Sequence, residues 1–232
     1  MSERYGIYFA PPVTSELWRH AAIWLSRDAA TGSAIEADIG GLDPARRFAL
    51  TRSARRYGFH ATVKAPMALD AKLEGKDLDR ALKAWAAVNA PVAVGRVVLE
   101  PLAGFLALVP ARQTRELTDF VQKVVVDFDG FRAPLSEADT QRRKSSALTP
   151  RQLELLGLYG YPYVMEEFRF HMTLTDRLAA EEREGVEAAA AAWFAPFIGQ
   201  ELLLDRLVLF HEAEPGAPFK RLRDYPLAGE EN

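Results

Sequence analysis

Apolar residues recur along the chain at two periods, which predict strands and helices in alternation. A first short strand is predicted at residues 5–10, where Pro11 and Pro12 stop it. Helices are predicted at residues 14–27, 77–89 and 114–127, where apolar residues recur every three or four positions. Two more are predicted at residues 151–158, after the helix start Thr149-Pro150, and at the alanine-rich residues 179–194. Further strands are predicted at residues 57–64, 92–100, 104–109, 168–175, 202–210 and 219–225.

Two segments lack a clear apolar period. Residues 28–50 are rich in Gly, Asp, Ser and Ala and are predicted to form a long loop. Residues 136–147 are polar and are predicted to be helical, with the run Arg142-Arg143-Lys144 on a charged face or beside a cleft. Since no low-complexity linker or long charge block divides the chain, we expect residues 1–232 to form one domain.

The order of the predicted elements suggests two similar halves within that domain. Each half has a strand that bears a histidine, then a helix, then two strands. The first half spans roughly residues 57–109 and the second roughly residues 168–226. Because such element orders are common, the order alone is only a weak indication of an internal repeat.

The amino-acid composition excludes several classes of protein. The 232 residues include 29 basic and 32 acidic side chains, four histidines and no cysteine, which excludes disulfides, thiolate metal sites and a cysteine nucleophile. A net charge of −3 argues against a dedicated binder of long nucleic acids. The first residues do not read as a signal peptide, and no apolar run approaches the roughly 20 residues of a membrane span. We therefore expect a cytoplasmic globular protein without a membrane partner.

Two of the four histidines occur in nearly the same local sequence. The two segments are Phe59-His60-Ala61-Thr62-Val63 and Phe170-His171-Met172-Thr173-Leu174. Because strand side chains alternate between faces, the histidine and threonine of each motif share one face while the flanking apolar residues face the core. Lys64 in the first strand and Arg169 in the second share the histidine face. Two such strands side by side would make a doubled, nearly symmetric site.

That pair of faces suits hydrolysis of a phosphodiester without a metal. One neutral imidazole takes a proton as general base, and the other, protonated, donates to the leaving oxygen. The threonine hydroxyls can donate to the non-bridging oxygens, and Lys64 and Arg169 can add positive charge at the rim. Tyr8, on the strand face opposite Ile7 and Phe9, is a further candidate for substrate contact. The residues alone leave open which histidine is the base.

The chain resembles a known family at three segments, residues 4–11, 57–66 and 168–175. The paired His-x-Thr motifs are similar to those of the two-histidine (2H) phosphoesterase superfamily, which includes RNA 2′,3′-cyclic phosphodiesterases and RNA ligase-like proteins. Within it, the three segments resemble an uncharacterised branch associated with phosphonate-utilisation gene clusters.

The resemblance implies an α+β fold with two lobes related by a pseudo-two-fold axis, antiparallel sheets forming a concave cleft, and helices packed outside. It implies a metal-independent cyclic phosphodiesterase without a cofactor, in which His60, Thr62, His171 and Thr173 are the catalytic and phosphate-binding positions. It also suggests a ribose cyclic phosphate as the substrate.

Other interpretations of the same residues stay open. His60 and His171 with Asp176 or Glu167 could bind zinc, although threonine hydroxyls are poor zinc ligands. The protein could instead act on RNA ends, or bind a phosphorylated ligand without catalysis. His20 and His211 are predicted to be structural. Walker, dinucleotide-binding and serine-elbow motifs do not occur in the sequence.

Overall fold

The computed structural model describes residues 3–136, 140–141 and 148–229. The basic run predicted on a helix face, residues 142–144, lies outside these residues. Among those described, no helix combines the length and the apolar character that crossing a bilayer requires.

The described residues form both strands and helices, which follow one another singly or in runs of two or three along the chain. The strands are β1 (Arg4–Phe9), β2 (Ala61–Met67), β3 (Val92–Leu102), β4 (Phe105–Pro110), β5 (Met172–Thr173), β6 (Glu201–Leu204), β7 (Arg206–Glu212) and β8 (Lys220–Pro226). The helices are α1 (Glu16–Trp24), α2 (Pro44–Leu50), α3 (Arg52–Tyr57), α4 (Gly75–Ala86), α5 (Arg115–Asp127), α6 (Pro150–Tyr159) and α7 (Ala180–Phe194).

The strands form one curled antiparallel sheet in the order β6-β3-β4-β5-β2-β1-β7-β8. Helix α5 packs against β2 and β3, and α4 packs against β7 and β8. Each of these helices buries an apolar stripe, such as Leu78 and Leu82 of α4. The expected α+β class, with antiparallel strands around a cleft, is confirmed.

Strands from the two halves of the sequence interleave in this sheet. Strands β3 and β4 follow the first motif in the chain but lie beside β5, which follows the second motif. In the same way β7 follows the second motif but lies beside β1, with β8 on its outer side. This exchange leaves β2 and β5 as neighbours at the centre of the sheet.

Two predicted segments differ from the observed elements. Residues 202–210 were expected to be one strand, but the chain changes partner at Asp205, so that β6 pairs with β3 and β7 with β1. The expected loop over residues 28–50 contains helix α2. Its start has a local cause, because the Asp43 side chain accepts a hydrogen bond from the Arg46 N–H and Pro44 occupies the first turn.

The two motif strands are shorter at their start than the alternation predicts. Helix α3 runs to Tyr57, and β2 begins only at Ala61 and continues through Pro66, where its pairing with β1 shifts register. The second motif strand, expected over residues 168–175, is reduced to the two residues of β5. Each histidine therefore occupies the position just before its strand.

The apolar faces of both motifs point into the core, as predicted. None of these side chains is more than 6% exposed: Phe59, Ala61, Val63, Phe168, Phe170, Met172 and Leu174. The Trp24 indole of α1 donates a hydrogen bond of 2.9 Å to the Leu174 carbonyl, which fixes the chain directly after β5. The alternation thus leaves the histidines and threonines on the opposite face.

The carboxylate of Asp176 stabilises helix α3 from the other half of the chain. Its oxygens accept from the Ser53 N–H at 2.9 and 3.1 Å, which satisfies a free donor in the first turn. We expect Asp176→Ala to lower the free energy of unfolding by about 1 kcal/mol, measured by urea denaturation. The control Asp119→Ala removes an exposed carboxylate paired with Arg115 and should cost less than about 0.5 kcal/mol. Equal losses in the two variants would contradict this role.

Candidate active site

The pairing of β2 with β5 brings the two His-x-Thr motifs together. Ala61 lies opposite Met172 in this antiparallel pair. Because antiparallel strands run in opposite directions, the position of His60 lies across from Thr173, and Thr62 lies across from His171. Side chains at opposed positions share a face of the sheet. Each imidazole is therefore placed next to the hydroxyl of the other motif.

Both histidines are oriented by the same hydrogen bond. Nδ1 of His60 lies 2.8 Å from the Gly58 carbonyl oxygen, and Nδ1 of His171 lies 2.7 Å from the Arg169 carbonyl oxygen. Since a carbonyl oxygen only accepts, Nδ1 must carry the proton in both rings. Nε2 is then the nitrogen that gains and loses a proton. In His60 it lies 3.2 Å from the Thr62 hydroxyl, which can donate to it.

The Gly58 carbonyl is held in place by a backbone conformation that suits glycine. Gly58 ends helix α3 with φ +81°. A Cβ atom at this position would lie 2.5 Å from Cβ of Ala29, closer than two carbon atoms can approach. The first histidine thus depends on a glycine two positions before it, whereas the second depends on the backbone of Arg169.

Burial gives both imidazoles a preference for the neutral form. It lowers the pKa of His60 to about 4, a shift that the hydrogen bond to Gly58 opposes and the charge of His171 increases. Burial also lowers the pKa of His171, against the effect of its hydrogen bond to Arg169. At neutral pH both Nε2 atoms are therefore proton acceptors in the free protein.

Three of the four motif residues, His60, Thr62 and Thr173, line a cleft of about 1140 Å³, whereas His171 is not among its lining residues. Tyr8, predicted as a substrate contact, also lines it and stacks on His60 with ring centroids 3.9 Å apart. The Tyr8 hydroxyl is buried and has no hydrogen-bond partner among the described residues. Because burial raises the Tyr8 pKa well above its ordinary value, this hydroxyl remains a proton donor.

The two cations predicted at the rim are placed differently. Lys64 lines the cleft but is 3% exposed, and its ammonium donates to the Val125 carbonyl at 3.0 Å and to Asp129 at 2.9 Å. Arg132 binds the same Asp129 carboxylate. Lys64 therefore connects β2 to α5 and the turn after it. The Arg169 side chain is exposed, and Arg169 lies outside the lining of the cleft. Its backbone carbonyl orients His171.

The carboxylates considered as zinc ligands make other contacts. Asp176 accepts from the first turn of α3, and Glu167 accepts a 2.9 Å hydrogen bond from Gln152. Within the described parts of the chain, no three histidine, aspartate or glutamate side chains converge as a metal site would need. The other two histidines make hydrogen bonds elsewhere. His20 contacts the Glu16 carbonyl, and His211 contacts the Glu3 carboxylate.

Several residues that line the cleft were not predicted as site residues from the sequence, among them Arg4, Arg56 and Tyr57. Arg4 could have been found, because it shares the strand face of Tyr8 four positions later. Arg56 and Tyr57 belong to α3, a helix that the sequence pattern did not separate from the motif strand. No local signal marks the packing that turns them toward the cleft.

Comparison with known proteins gives a family match. A family model described as "Protein of unknown function (DUF1045)" matches residues 62–220. A relative from Janthinobacterium sp. (strain Marseille) is 34% identical over 98% of this chain and 51% of its own length. A relative from Laribacter hongkongensis (strain HLHK9) is 33% identical over 95% of this chain and 51% of its own length. Both are named ribose 1,5-bisphosphate phosphokinase PhnN. The chain spans about half the length of these curated relatives.

Solved structures are similar at low sequence identity. TT0787 of Thermus thermophilus is 15% identical, with a TM-score of 0.49 over 98% of this chain and 100% of that one. LigT of E. coli complexed with 3′-AMP is 11% identical, with a TM-score of 0.43 over 98% of this chain and 99% of that one.

Gly58 offers a test of how His60 is oriented. We expect Gly58→Ala to lower the free energy of unfolding by more than about 1 kcal/mol, because the new methyl group meets Ala29 and the backbone keeps a positive φ. NMR should also show a changed ring environment for His60. Arg169→Ala is the matched control, since only its backbone holds His171, and it should leave that ring unchanged. Unperturbed His60 signals in Gly58→Ala would contradict the role of this carbonyl.

The lowered pKa of His60 predicts a stability that depends on pH. The unfolded chain binds a proton at this residue near pH 6.5, the folded chain only near pH 4. Between these values the unfolded state holds more protons, so the stability present above pH 6.5 falls as the pH drops toward 4. Urea unfolding at a series of pH values should show a smaller fall for His60→Asn than for the unaltered protein. Parallel curves would contradict the shift.

Proposed function

The chain belongs to the DUF1045 family, and on that premise we propose that it is a two-histidine cyclic phosphodiesterase. It opens a small ribose or nucleoside cyclic phosphate to a phosphomonoester. The observation that carries this proposal is the cross-strand placement of two imidazoles, each held in the Nδ1–H tautomer with Nε2 available for proton transfer.

The reaction needs one proton acceptor and one proton donor on opposite sides of phosphorus. One Nε2 removes a proton from water as the water oxygen bonds to phosphorus. The bond from phosphorus to a sugar oxygen breaks, and the other histidine, protonated at Nε2, gives its proton to that oxygen. The atoms balance as the addition of one water molecule, and either histidine can act as the base.

The protonated histidine requires the substrate. Since burial lowers the pKa of both rings, neither is charged in the free protein at neutral pH. A bound phosphodiester carries a negative charge, and an opposite charge within about 4–6 Å favours the protonated imidazole. Binding of the anion therefore supplies the charged acid that the free cleft lacks.

The two threonines suit the non-bridging oxygens of the phosphate. Thr62 and Thr173 line the cleft, and each hydroxyl is placed across the strand pair from the imidazole of the other motif. Hydroxyl donors aimed at oxygens where charge accumulates stabilise the transition state of such a displacement. This donor set also explains why the motif repeats threonine rather than a carboxylate.

The relatives support a ribose phosphate as the ligand class. Their name describes action on ribose 1,5-bisphosphate, and this chain matches about half of their length. Because no nucleotide-binding P-loop motif occurs in this sequence, we assign to it the ribose phosphate ligand and not the kinase reaction. A small phosphorylated substrate also fits a chain of net charge −3 better than long nucleic acid does. Such a reaction would fit phosphonate metabolism, in line with the resemblance of the motifs.

The proposal is tested by hydrolysis of ribose and nucleoside cyclic phosphates in the presence of EDTA. We expect turnover to survive chelation, and His60→Ala and His171→Ala each to lower kcat/KM by about 10²–10⁴-fold, the range for loss of an acid–base group. His20→Ala and His211→Ala are matched controls outside the cleft and should change it less than twofold.

Three results would contradict the proposal. Loss of activity in EDTA would indicate a metal enzyme. Faster hydrolysis of RNA oligonucleotides with a cyclic phosphate end would make RNA the substrate. Binding of the cyclic phosphates without any turnover would indicate a ligand-binding protein.

A further inference from the structure

Two arginines that line the cleft meet one carboxylate. Nε of Arg4, at the start of β1, lies 2.5 Å from Oε2 of Glu212, and Arg56 of α3 pairs with Oε1 of the same carboxylate. The Glu212 side chain is fully buried and also accepts from the Gly216 N–H at 3.0 Å. With two cations and one anion, this cluster keeps one positive charge.

The cluster also keeps hydrogen-bond donors that no described residue accepts from. Within residues 3–136, 140–141 and 148–229, neither terminal nitrogen of Arg4 has a partner, nor has Nη1 of Arg56. Both arginines line the cleft. A guanidinium next to a cavity with free N–H groups is suited to bind the oxygens of a phosphate or carboxylate.

The Tyr8 hydroxyl is a third donor on the same wall. Its ring folds back along β1 toward Arg4, so that its oxygen lies 2.7 Å from where a Cβ of Gly6 would be. Gly6 thus leaves the space that the ring occupies. This hydroxyl is buried without a partner among the described residues, which costs free energy unless a ligand in the cleft accepts from it.

We propose that Arg4, Arg56 and Tyr8 form a subsite for a second anionic group of the substrate, a phosphomonoester separate from the cyclic phosphate. This inference rests on the proposed function, because it places the reacting phosphate at the two histidines. Excess positive charge and unused donors on one wall are the features that such a group requires.

The distance to the histidines fits one small substrate. The rings of His60 and Tyr57 are 6.0 Å apart, and the guanidinium carbon of Arg56 lies 5.1 Å from the Tyr57 ring. These steps put Arg56 within about 11 Å of His60. A single pentose with phosphate groups at its two ends bridges this separation. The substrate class is therefore a pentose cyclic phosphate that carries a further phosphate on the same sugar.

A matched pair of substrates tests the subsite. Adenosine 2′,3′-cyclic phosphate and its 5′-phosphorylated form differ only in the phosphomonoester. We expect kcat/KM to be at least tenfold higher for the 5′-phosphorylated compound. In Arg4→Gln and Arg56→Gln the ratio of the two values should fall toward one, and in Tyr8→Phe it should fall severalfold. Arg96→Gln, an exposed arginine of β3 paired with Glu201, is the control and should keep the ratio.

The ratio of the two kcat/KM values distinguishes loss of the subsite from general damage to the protein, because general damage lowers both values equally. Equal losses on both substrates, or a ratio that the variants retain, would overturn the inference. Tyr8→Phe removes a single oxygen without a partner among the described residues, so it folds even where an arginine variant leaves Glu212 under-paired. Turnover of both compounds at equal rates would refute the subsite and leave the proposed function standing.

Binding to an inactive variant covers the case in which the proposed function fails. The same two compounds are titrated into His60→Asn/His171→Asn by calorimetry, with and without Arg4→Gln. Tighter binding of the 5′-phosphorylated compound, lost with Arg4→Gln, would support the subsite even if the unaltered protein turned over neither compound. Absence of any difference between the compounds would overturn it.

Discussion

The arrangement of the cleft depends on the register of one strand pair. With Ala61 opposite Met172, each imidazole lies across from the threonine of the other motif. Because side chains alternate along a strand, a slip of one residue would turn Met172 to the sheet face of His60 and His171 to the core. Strand β5 has only two residues, so its own hydrogen bonds are few. Its register is fixed by β4 on its other side and by the hydrogen bond from Trp24.

The orientation of the histidines and their protonation come from the same burial. Each ring is pressed against the backbone two residues before it, which fixes the tautomer, and the loss of water lowers the pKa. This arrangement lowers the stability of the protein at acid pH, because an imidazole that is buried in its neutral form binds a proton more tightly in the unfolded chain than in the folded one. Shifted pKa values of this kind are common at functional sites.

The motif faces could be predicted from sequence because they depend only on alternation, which is local. Which strands pair with each other could not be predicted from the sequence. The exchange that places β7 beside β1 is decided by packing across the whole sheet, and the break at Asp205 has no turn signal strong enough to reveal it. The need for glycine at position 58 comes from Ala29, which is distant in sequence. Lys64 was placed on the correct face, but its pairing with Asp129 depends on helix α5.

The two motifs are nearly symmetric, whereas the walls around them are not. On the side of His60 lie Tyr8, Tyr57 and the arginine pair with its excess charge; on the side of His171 lies Phe105. A substrate with a cyclic phosphate at one end and a phosphomonoester at the other would therefore meet different partners in its two possible orientations. In the proposed reaction the two histidines would then take distinct roles, because the orientation of the sugar would decide which Nε2 faces the leaving oxygen. The proposed mechanism thus assigns the choice of acid and base to the walls of the cleft and not to the motif.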